Sequence, residues 1–245
     1  MLLAKNKFRL SRLDSGIAFC IALTAFALYA RTLYPGLLPG DSGEFQTLAY
    51  RLAHTHPTGY DVYLLLARVF ILIPAQSIAY RVTLFSAFMA GLTVAGVYLA
   101  GTLLGGKRWA GLFGATALAV SATFWSQAVI AEIYTAGSFF LVLIFLLLLL
   151  WEQFKRGLYL SLAAALGVLS LGVHLTVALA APAVGVFLLL NWKEWRRLWR
   201  PLLWGLLAGG VLFGGIFLLV DRNQGPESYF NTTVRPGLSL WDMTP

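Results

Sequence analysis

The sequence is poor in charged residues and has a single cysteine. Only 11% of its 245 residues are charged, whereas about 25% are charged in a soluble domain. So few polar side chains cannot cover a globular surface, and lipid must therefore solvate much of the chain. The single cysteine, Cys20, lies within an apolar run and excludes a disulfide framework. A soluble globular domain and a disulfide-rich secreted domain are both excluded.

Acidic residues are scarcer than basic ones, and the formal net charge is +8. A nucleic-acid partner would require a stripe of basic and aromatic residues on a polar surface. The basic residues instead form short clusters between apolar runs, which is the pattern of membrane topology. We therefore expect no nucleic-acid binding.

The apolar runs predict an all-α polytopic membrane protein with about seven transmembrane helices and one short interfacial or re-entrant helix. Runs long enough to span are 15–33, 77–104, 109–127, 134–151, two short spans within 158–190 broken near residues 172–174, and 202–220. Residues 61–73, which end at Pro74, are too few to span. The predicted units are a basic N-terminus (1–14), a membrane domain (15–220) with a polar loop (34–76), and a polar tail (221–245).

The distribution of charge predicts the orientation of these spans. Twelve of the 18 lysines and arginines, with only three acidic residues, fall on the side of the N-terminus; six arginines and seven acidic residues fall on the other. Basic residues are enriched on the cytoplasmic side of membrane proteins. The N-terminus is therefore predicted to be cytoplasmic, and the polar loop and the tail to lie outside.

Asp41 and Glu44 in the polar loop are the main candidates for catalysis. Residues three apart share one face of a helix, so both carboxylates would point into one cleft, where one could act as a general base. Gly40 and Gly43 would let a substrate approach the backbone closely. The simpler interpretation is a capping box with Asp41 as the N-cap. The two interpretations are compatible.

His54 and His56 follow in the same loop. With Asp41 and Glu44 they could ligate a divalent metal, but the spacing also suits a structural role or hydrogen bonds to a phosphate or a sugar. We assign no metal ligand, and a divalent cation stays an open alternative.

Further candidates lie at the predicted outer ends of the spans. Glu132 is an ionisable group at membrane depth or a solvated helix cap, and His174 interrupts a long apolar stretch. Arg81 could bind phosphate or extend to the interface. The candidate substrate-binding residues are His54, His56, Arg81, Glu132, Tyr134 and His174.

Four segments occur in an order that resembles a known family. They are 39–45 (PGDSGEF), 56–60 (HPTGY), 81–87 (RVTLFSA) and 124–134 (FWSQAVIAEIY), and residues 172–176 (GVHLT) are also similar. The order resembles the transmembrane-protein-260-type O-mannosyltransferases, a membrane family also described as a domain of unknown function. The resemblance implies a GT-C glycosyltransferase fold, a polyprenyl-phosphate-linked sugar donor, and a site on the non-cytoplasmic face.

The resemblance also implies roles for residues. Asp41 would deprotonate the hydroxyl of a protein or glycan acceptor, Glu44 would orient acceptor or donor, and His56, Arg81 or His174 would hold the lipid phosphate. The sequence departs from the family at Thr58, where a proline is usual, and the family commonly has more spans and a soluble C-terminal domain. The alternative is therefore a non-catalytic, truncated relative that acts as a membrane subunit or lipid-binding scaffold in a larger complex. A transporter fits less well, since its charges would be expected within the spans.

Overall fold

The computed structural model describes residues 8–56, 60–195, 199–229 and 231–232. These residues are largely helical and contain no β-strand, which confirms the predicted all-α class. The helices are α1 (Arg12–Arg31), α2 (Asp41–Arg51), α3 (Asp61–Ile71), α4 (Ile78–Gly105), α5 (Arg108–Ala119), α6 (Ala122–Ala128), α7 (Tyr134–Phe154), α8 (Gly157–Ser170), α9 (Ala181–Leu190), α10 (Trp192–Trp195) and α11 (Trp199–Asn223), with short 3-10 helices at Leu175–Ala180 and Gly225–Glu227.

Four of these helices, α1, α4, α7 and α11, are long and apolar enough to cross a membrane, so the seven predicted spans are not confirmed. The run 109–127 is divided between α5 and α6, because the side chain of Ser121 accepts a hydrogen bond from the Phe124 N–H and starts a new helix. The run 158–190 breaks at residues 171–174, as predicted, and separates α8 from the 3-10 turn and α9.

Helix α4 lies at the centre of the bundle. In its most apolar window 72% of residues are buried, compared with 22% in α1 and 17% in α11. Small residues allow its neighbours to approach closely. A Cβ added at Gly91 would lie 2.7 Å from the carbonyl oxygen of Ala22 in α1, and one added at Gly101 would lie 3.0 Å from the Cα of Gly111 in α5. The core is therefore built around α4.

The short helix α3 is packed into this core. Val62, Tyr63 and Leu64 are at most 3% exposed. The backbone N–H groups of Val62 and Tyr63 both donate to the carbonyl oxygen of Gly172, at 3.0 and 3.2 Å. The start of α3 is thereby joined to the turn that follows α8.

Contacts between distant residues define two ends of the bundle. At one end Arg108 Nε donates to Asp14 Oδ1 at 2.7 Å. At the other end the N–H of Tyr34 donates to the carbonyl of Val129 at 3.0 Å, close to where α2, α3 and the turn after α8 meet. We call the second end, which includes residues 32–56, 60, 129–133 and 171–174, the loop end.

Candidate functional site

Gly40 precedes helix α2, and its φ of +65° and ψ of −148° suit glycine. Gly43 is equally constrained, since an added Cβ would lie 2.2 Å from the carbonyl oxygen of Leu38. The predicted capping box is wrong. Gly40, not Asp41, is the N-cap, and no side chain caps the helix, because glycine has no side-chain acceptor. The carboxylates of Asp41 and Glu44 are therefore free for other contacts.

Gln46 attaches this loop to the central helix. Its side chain is 1% exposed. Its Oε1 accepts the N–H of Leu38 at 2.9 Å, and its Nε2 donates to the carbonyl of Gly36 at 3.2 Å and to Thr83 Oγ1 at 3.0 Å. Sequence reasoning missed Gln46, although a glutamine on an otherwise apolar helix face is a signal for such a buried anchor.

Asp41, Glu44 and His56 form the acidic cluster. Glu44 binds His56 twice: Oε1 accepts the backbone N–H at 3.1 Å, and Oε2 lies 2.9 Å from the ring Nδ1. One potential ligand atom from each of the three residues lies within 4.8 Å of the others. Asp41 is exposed and accepts no hydrogen bond from the described part of the chain. The structure thus brings together three of the predicted residues.

The same three residues offer ligands of the type that bind divalent cations, namely two carboxylates and an imidazole. Because His56 Nδ1 contacts Glu44 Oε2, Nε2 is the ring nitrogen that remains for a cation. The geometry accommodates a cation without requiring one.

Glu132 joins the cluster from the α6–α7 connection. The hydroxyl of Ser42 donates to Glu132 Oε1 at 2.8 Å, and Ser86 binds the backbone N–H and C=O of Glu132 at 3.3 and 3.2 Å. Burial raises the pKa of Glu132, and the negative charge of Asp41 raises it further, although the hydrogen bond from Ser42 opposes this. Glu132 therefore holds a proton more readily than an ordinary glutamate.

A wall of rings connects the cluster to two more predicted residues. The ring of Tyr60 lies 5.5 Å from that of His56 and stacks on His174 at 5.9 Å with a 12° interplanar angle. The ring of Tyr134 lies 5.5 Å from His174. Tyr60 was not predicted as a site residue, although it is the last residue of the segment 56–60 on which the family resemblance partly rests.

The contacts of His174 with Thr176 indicate which ring nitrogen of His174 carries the proton. The backbone N–H of Thr176 donates to His174 Nδ1 at 3.2 Å, and the Thr176 hydroxyl contacts the same nitrogen. Burial lowers the pKa of His174, which favours the neutral ring. Since Nδ1 is the acceptor, the proton lies on Nε2, and Nε2 is a hydrogen-bond donor.

His54 belongs to a different cluster from His56. Its Nδ1 lies 2.7 Å from Asp61 Oδ1, its Nε2 lies 3.4 Å from Asp221 Oδ1, and its ring stacks on Phe217 at 4.8 Å. Asp61 raises the pKa of His54 most, and Asp221 adds to this. Asp221, which the sequence analysis placed in the tail, is buried in the last turn of α11. His54 thus fastens the loop to α3 and α11.

Arg81 is engaged outside the acidic cluster. Its Nη1 donates to the carbonyl of Ile71 at 2.5 Å and its Nη2 to the carbonyl of Gln76 at 3.1 Å. Arg68 similarly donates to the carbonyls of Ala49 and Tyr50. Carbonyls at the end of a helix lack intrahelical partners, and both arginines satisfy such groups.

The fold and the site define an all-α integral membrane protein with an acidic, histidine-containing site at one end of its helical bundle. Residues 41–198 match the family model of the protein O-mannosyl-transferase TMEM260 N-terminal domain, and the chain belongs to this family. The predicted resemblance is confirmed.

The chain is similar to two proteins named protein O-mannosyl-transferase TMEM260. It is 31% identical to the one from Mus musculus over 150 residues, which are 61% of this chain and 21% of the mouse protein. It is 26% identical to the one from Dictyostelium discoideum over 134 residues, which are 52% of this chain and 16% of that protein. The chain thus matches about a fifth of the length of these relatives. No solved structure matches it.

Proposed function

We propose that this chain carries the catalytic acidic loop of a membrane glycosyltransferase. In this proposal a sugar moves from a polyprenyl-phosphate donor to an acceptor hydroxyl on the non-cytoplasmic face. The observation that carries the proposal is the convergence of Asp41, Glu44 and His56 with Glu132 at the loop end. The names of the relatives make mannose the sugar and a protein the acceptor in this proposal.

The positions of the carboxylates suggest a division of roles. Glu44 is held by His56 through two contacts, which orients it. Glu132 holds a proton more readily because it is half-buried and lies near Asp41. Neighbouring carboxyl groups in unlike environments are often divided between acid and base roles. Asp41, exposed and accepting no hydrogen bond from the described residues, is then the base. Glu132, whose pKa is raised, is the carboxyl group that donates a hydrogen bond to substrate when it carries a proton.

The proposed transfer is a single inverting displacement. Asp41 takes the proton of the acceptor hydroxyl, the acceptor oxygen attacks the anomeric carbon, and the bond from that carbon to the phosphate oxygen breaks. The polyprenyl phosphate leaves with the electron pair. Its phosphate is stable as an anion, so no strong general acid is required, and positioning and charge stabilisation suffice.

His174 is the proposed donor to the leaving phosphate. Its Nε2–H is fixed by the contact of Nδ1 with Thr176, and its ring is part of the wall that reaches His56 through Tyr60. Tyr134, half-exposed beside it, offers a ring on which a sugar can stack. The lipid tail would lie between spans, which agrees with a site at the end of the bundle.

The test is sugar transfer by the full chain reconstituted in lipid, with polyprenyl-phosphate mannose as donor and serine- and threonine-containing peptides as acceptors. Asp41→Asn should lower the transfer rate by about 100-fold or more, whereas Glu227→Gln, which changes an exposed carboxylate of the short 3-10 helix after α11, should leave it unchanged. Equal transfer by wild type and Asp41→Asn would remove Asp41 from catalysis. If the folded wild type binds the donor but transfers no sugar, the chain is a lipid-binding subunit and the enzyme proposal is wrong.

A further inference from the structure

An apolar groove runs between α1 and α5, with Val94 of α4 at its floor. Its volume of about 580 Å³ lies within the range of about 300–1,000 Å³ typical of ligand pockets. Residues of α1 at helical spacing form one wall, including Leu13, Gly16, Cys20 and Leu28. The groove therefore follows α1 for more than four turns.

Small side chains keep this space open. A Cβ added at Gly16 would meet no atom within 4 Å, and Cys20 is exposed. The opposite wall includes Ala115 and Ala119 of α5. By contrast, α4 and α5 touch so closely that a Cβ at Gly111 would lie 2.2 Å from Thr102 Oγ1. The groove is thus a gap along α1, whereas α4 and α5 pack closely beside it.

The length and lining of the groove suit a lipid chain. Leu13 and Leu28 are 15 residues apart, which corresponds to about 22 Å along a helix. The side chains that line the groove over this length are largely apolar. An extended acyl chain can therefore lie along α1, and the charges at the Leu13 end favour the kind of lipid that carries it.

Two basic residues lie near the end of the groove at Leu13. Arg12 precedes Leu13, and Lys107 precedes Arg108, which is bound to Asp14. Both Arg12 and Lys107 are exposed, and neither forms an ion pair within the described ranges. Helix α5 starts at Arg108 without a side-chain cap, and uncapped backbone N–H groups at a helix start favour a phosphate. An anionic headgroup therefore fits this end.

We propose that the groove binds one acyl chain of an anionic phospholipid, whose phosphate contacts Arg12, Lys107 and the start of α5. The proposed headgroup contact lies at the opposite end of the bundle from the acidic cluster. It is independent of the proposed transferase activity.

Native mass spectrometry of the full chain in mild detergent, without sugar donor, tests this directly. Phosphatidylglycerol and phosphatidylcholine with identical acyl chains are titrated. We expect one phosphatidylglycerol to bind more tightly than phosphatidylcholine. Gly16→Phe should abolish this binding by filling the groove. Gly210→Phe is the matched control, because Gly210 is on α11 and also has no atom within 4 Å of an added Cβ; it should bind as wild type does.

The headgroup contact is tested by Arg12→Gln combined with Lys107→Gln. Each cation near a bilayer surface favours an anionic lipid, so the double variant should bind phosphatidylglycerol about 30-fold more weakly. Its affinity for phosphatidylcholine should change little. Equal affinity of the wild type for the two lipids, or unchanged binding by Gly16→Phe, would overturn the proposal.

Cys20 provides a second measurement that needs no groove-filling variant, because it is the only cysteine in the chain. Bound phosphatidylglycerol should slow its reaction with N-ethylmaleimide about tenfold or more. Phe19→Cys in a Cys20→Ser background is the control, since Phe19 is 67% exposed and does not line the groove. Equal protection at both positions would refute a site in the groove. Protection of Cys20 in a dimer without added lipid would make a second copy of the chain the occupant and would also refute it.

Discussion

Replacement of His54 by phenylalanine tests the arrangement at the loop end most sharply. His54 contacts Asp61 and Asp221, whose side chains are both 5% exposed, and it is 15% exposed itself. Phenylalanine retains the stacking on Phe217 but leaves two buried carboxylates without the imidazolium. Removing one partner of a buried ion pair costs about 3–5 kcal/mol. We expect a loss of this size in the free energy of unfolding of His54→Phe.

The matched control is His56→Phe. His56 is in the same loop and also contacts a carboxylate, Glu44, but the two side chains are 41% and 33% exposed. An exposed ion pair contributes about 0–1 kcal/mol, so His56→Phe should be several times less destabilising. Unfolding of both variants in detergent, followed by tryptophan fluorescence, measures the difference. Equal losses would refute the separate roles of the two histidines.

The pH dependence of His54→Phe follows from the raised pKa of His54. A group whose pKa is higher in the folded state contributes its stability fully below the unfolded pKa, about 6.5 for histidine. That contribution is lost as the pH rises through the folded pKa. The difference in unfolding free energy between wild type and His54→Phe should therefore be largest near pH 6 and smaller at pH 9. A difference that grows with pH would contradict the imidazolium contact.

Three further predictions concern the acidic cluster. Gly43→Ala should destabilise the start of α2 by about 1–3 kcal/mol, because the new Cβ would lie 2.2 Å from the Leu38 carbonyl; Gly210→Ala, in open space, should not, and unfolding experiments compare the two. Burial raises the pKa of Glu132. If sugar transfer needs the Glu132 proton, the transfer rate should decline as the pH rises through that pKa. A pH–rate profile of Glu132→Gln should show a weaker decline. EDTA should leave transfer unchanged, because the proposed displacement uses a carboxylate base and a leaving phosphate that is already stable as an anion; lost activity that Mg²⁺ or Mn²⁺ restores would show a metal instead.

Hydropathy gave the fold class but not the number of spans. A window average registers the length of an apolar run, and it does not detect a helix that stops and restarts. Ser121 restarts the chain as α6 within such a run. The turn at residues 171–174 could be predicted, because the polar His174 interrupts the apolar stretch there.

The separation of the two histidines could not be predicted from spacing. His54 and His56 are two residues apart, yet they meet different carboxylates. His54 contacts Asp61 in α3 and Asp221 in α11, whereas His56 contacts Glu44 in α2. Which carboxylate each imidazole meets depends on how α2, α3 and α11 pack around the loop. The partners of Arg81 could not be predicted either. Its guanidinium donates to backbone carbonyls, and every residue carries such a carbonyl, so the sequence contains no signal for them.

The sequence by itself determined that the protein is helical, that lipid surrounds it, and that Asp41 and Glu44 lie together near the start of one helix. These properties follow from composition and from the helical repeat, which act over a few residues. Only the tertiary structure decided which distant groups join them, because Ser42 and Glu132 are 90 residues apart and meet only when α2 and the α6–α7 connection pack on α4. The electrostatic environment of Glu132 comes from that packing, since burial and the charge of Asp41 act through space and not along the chain.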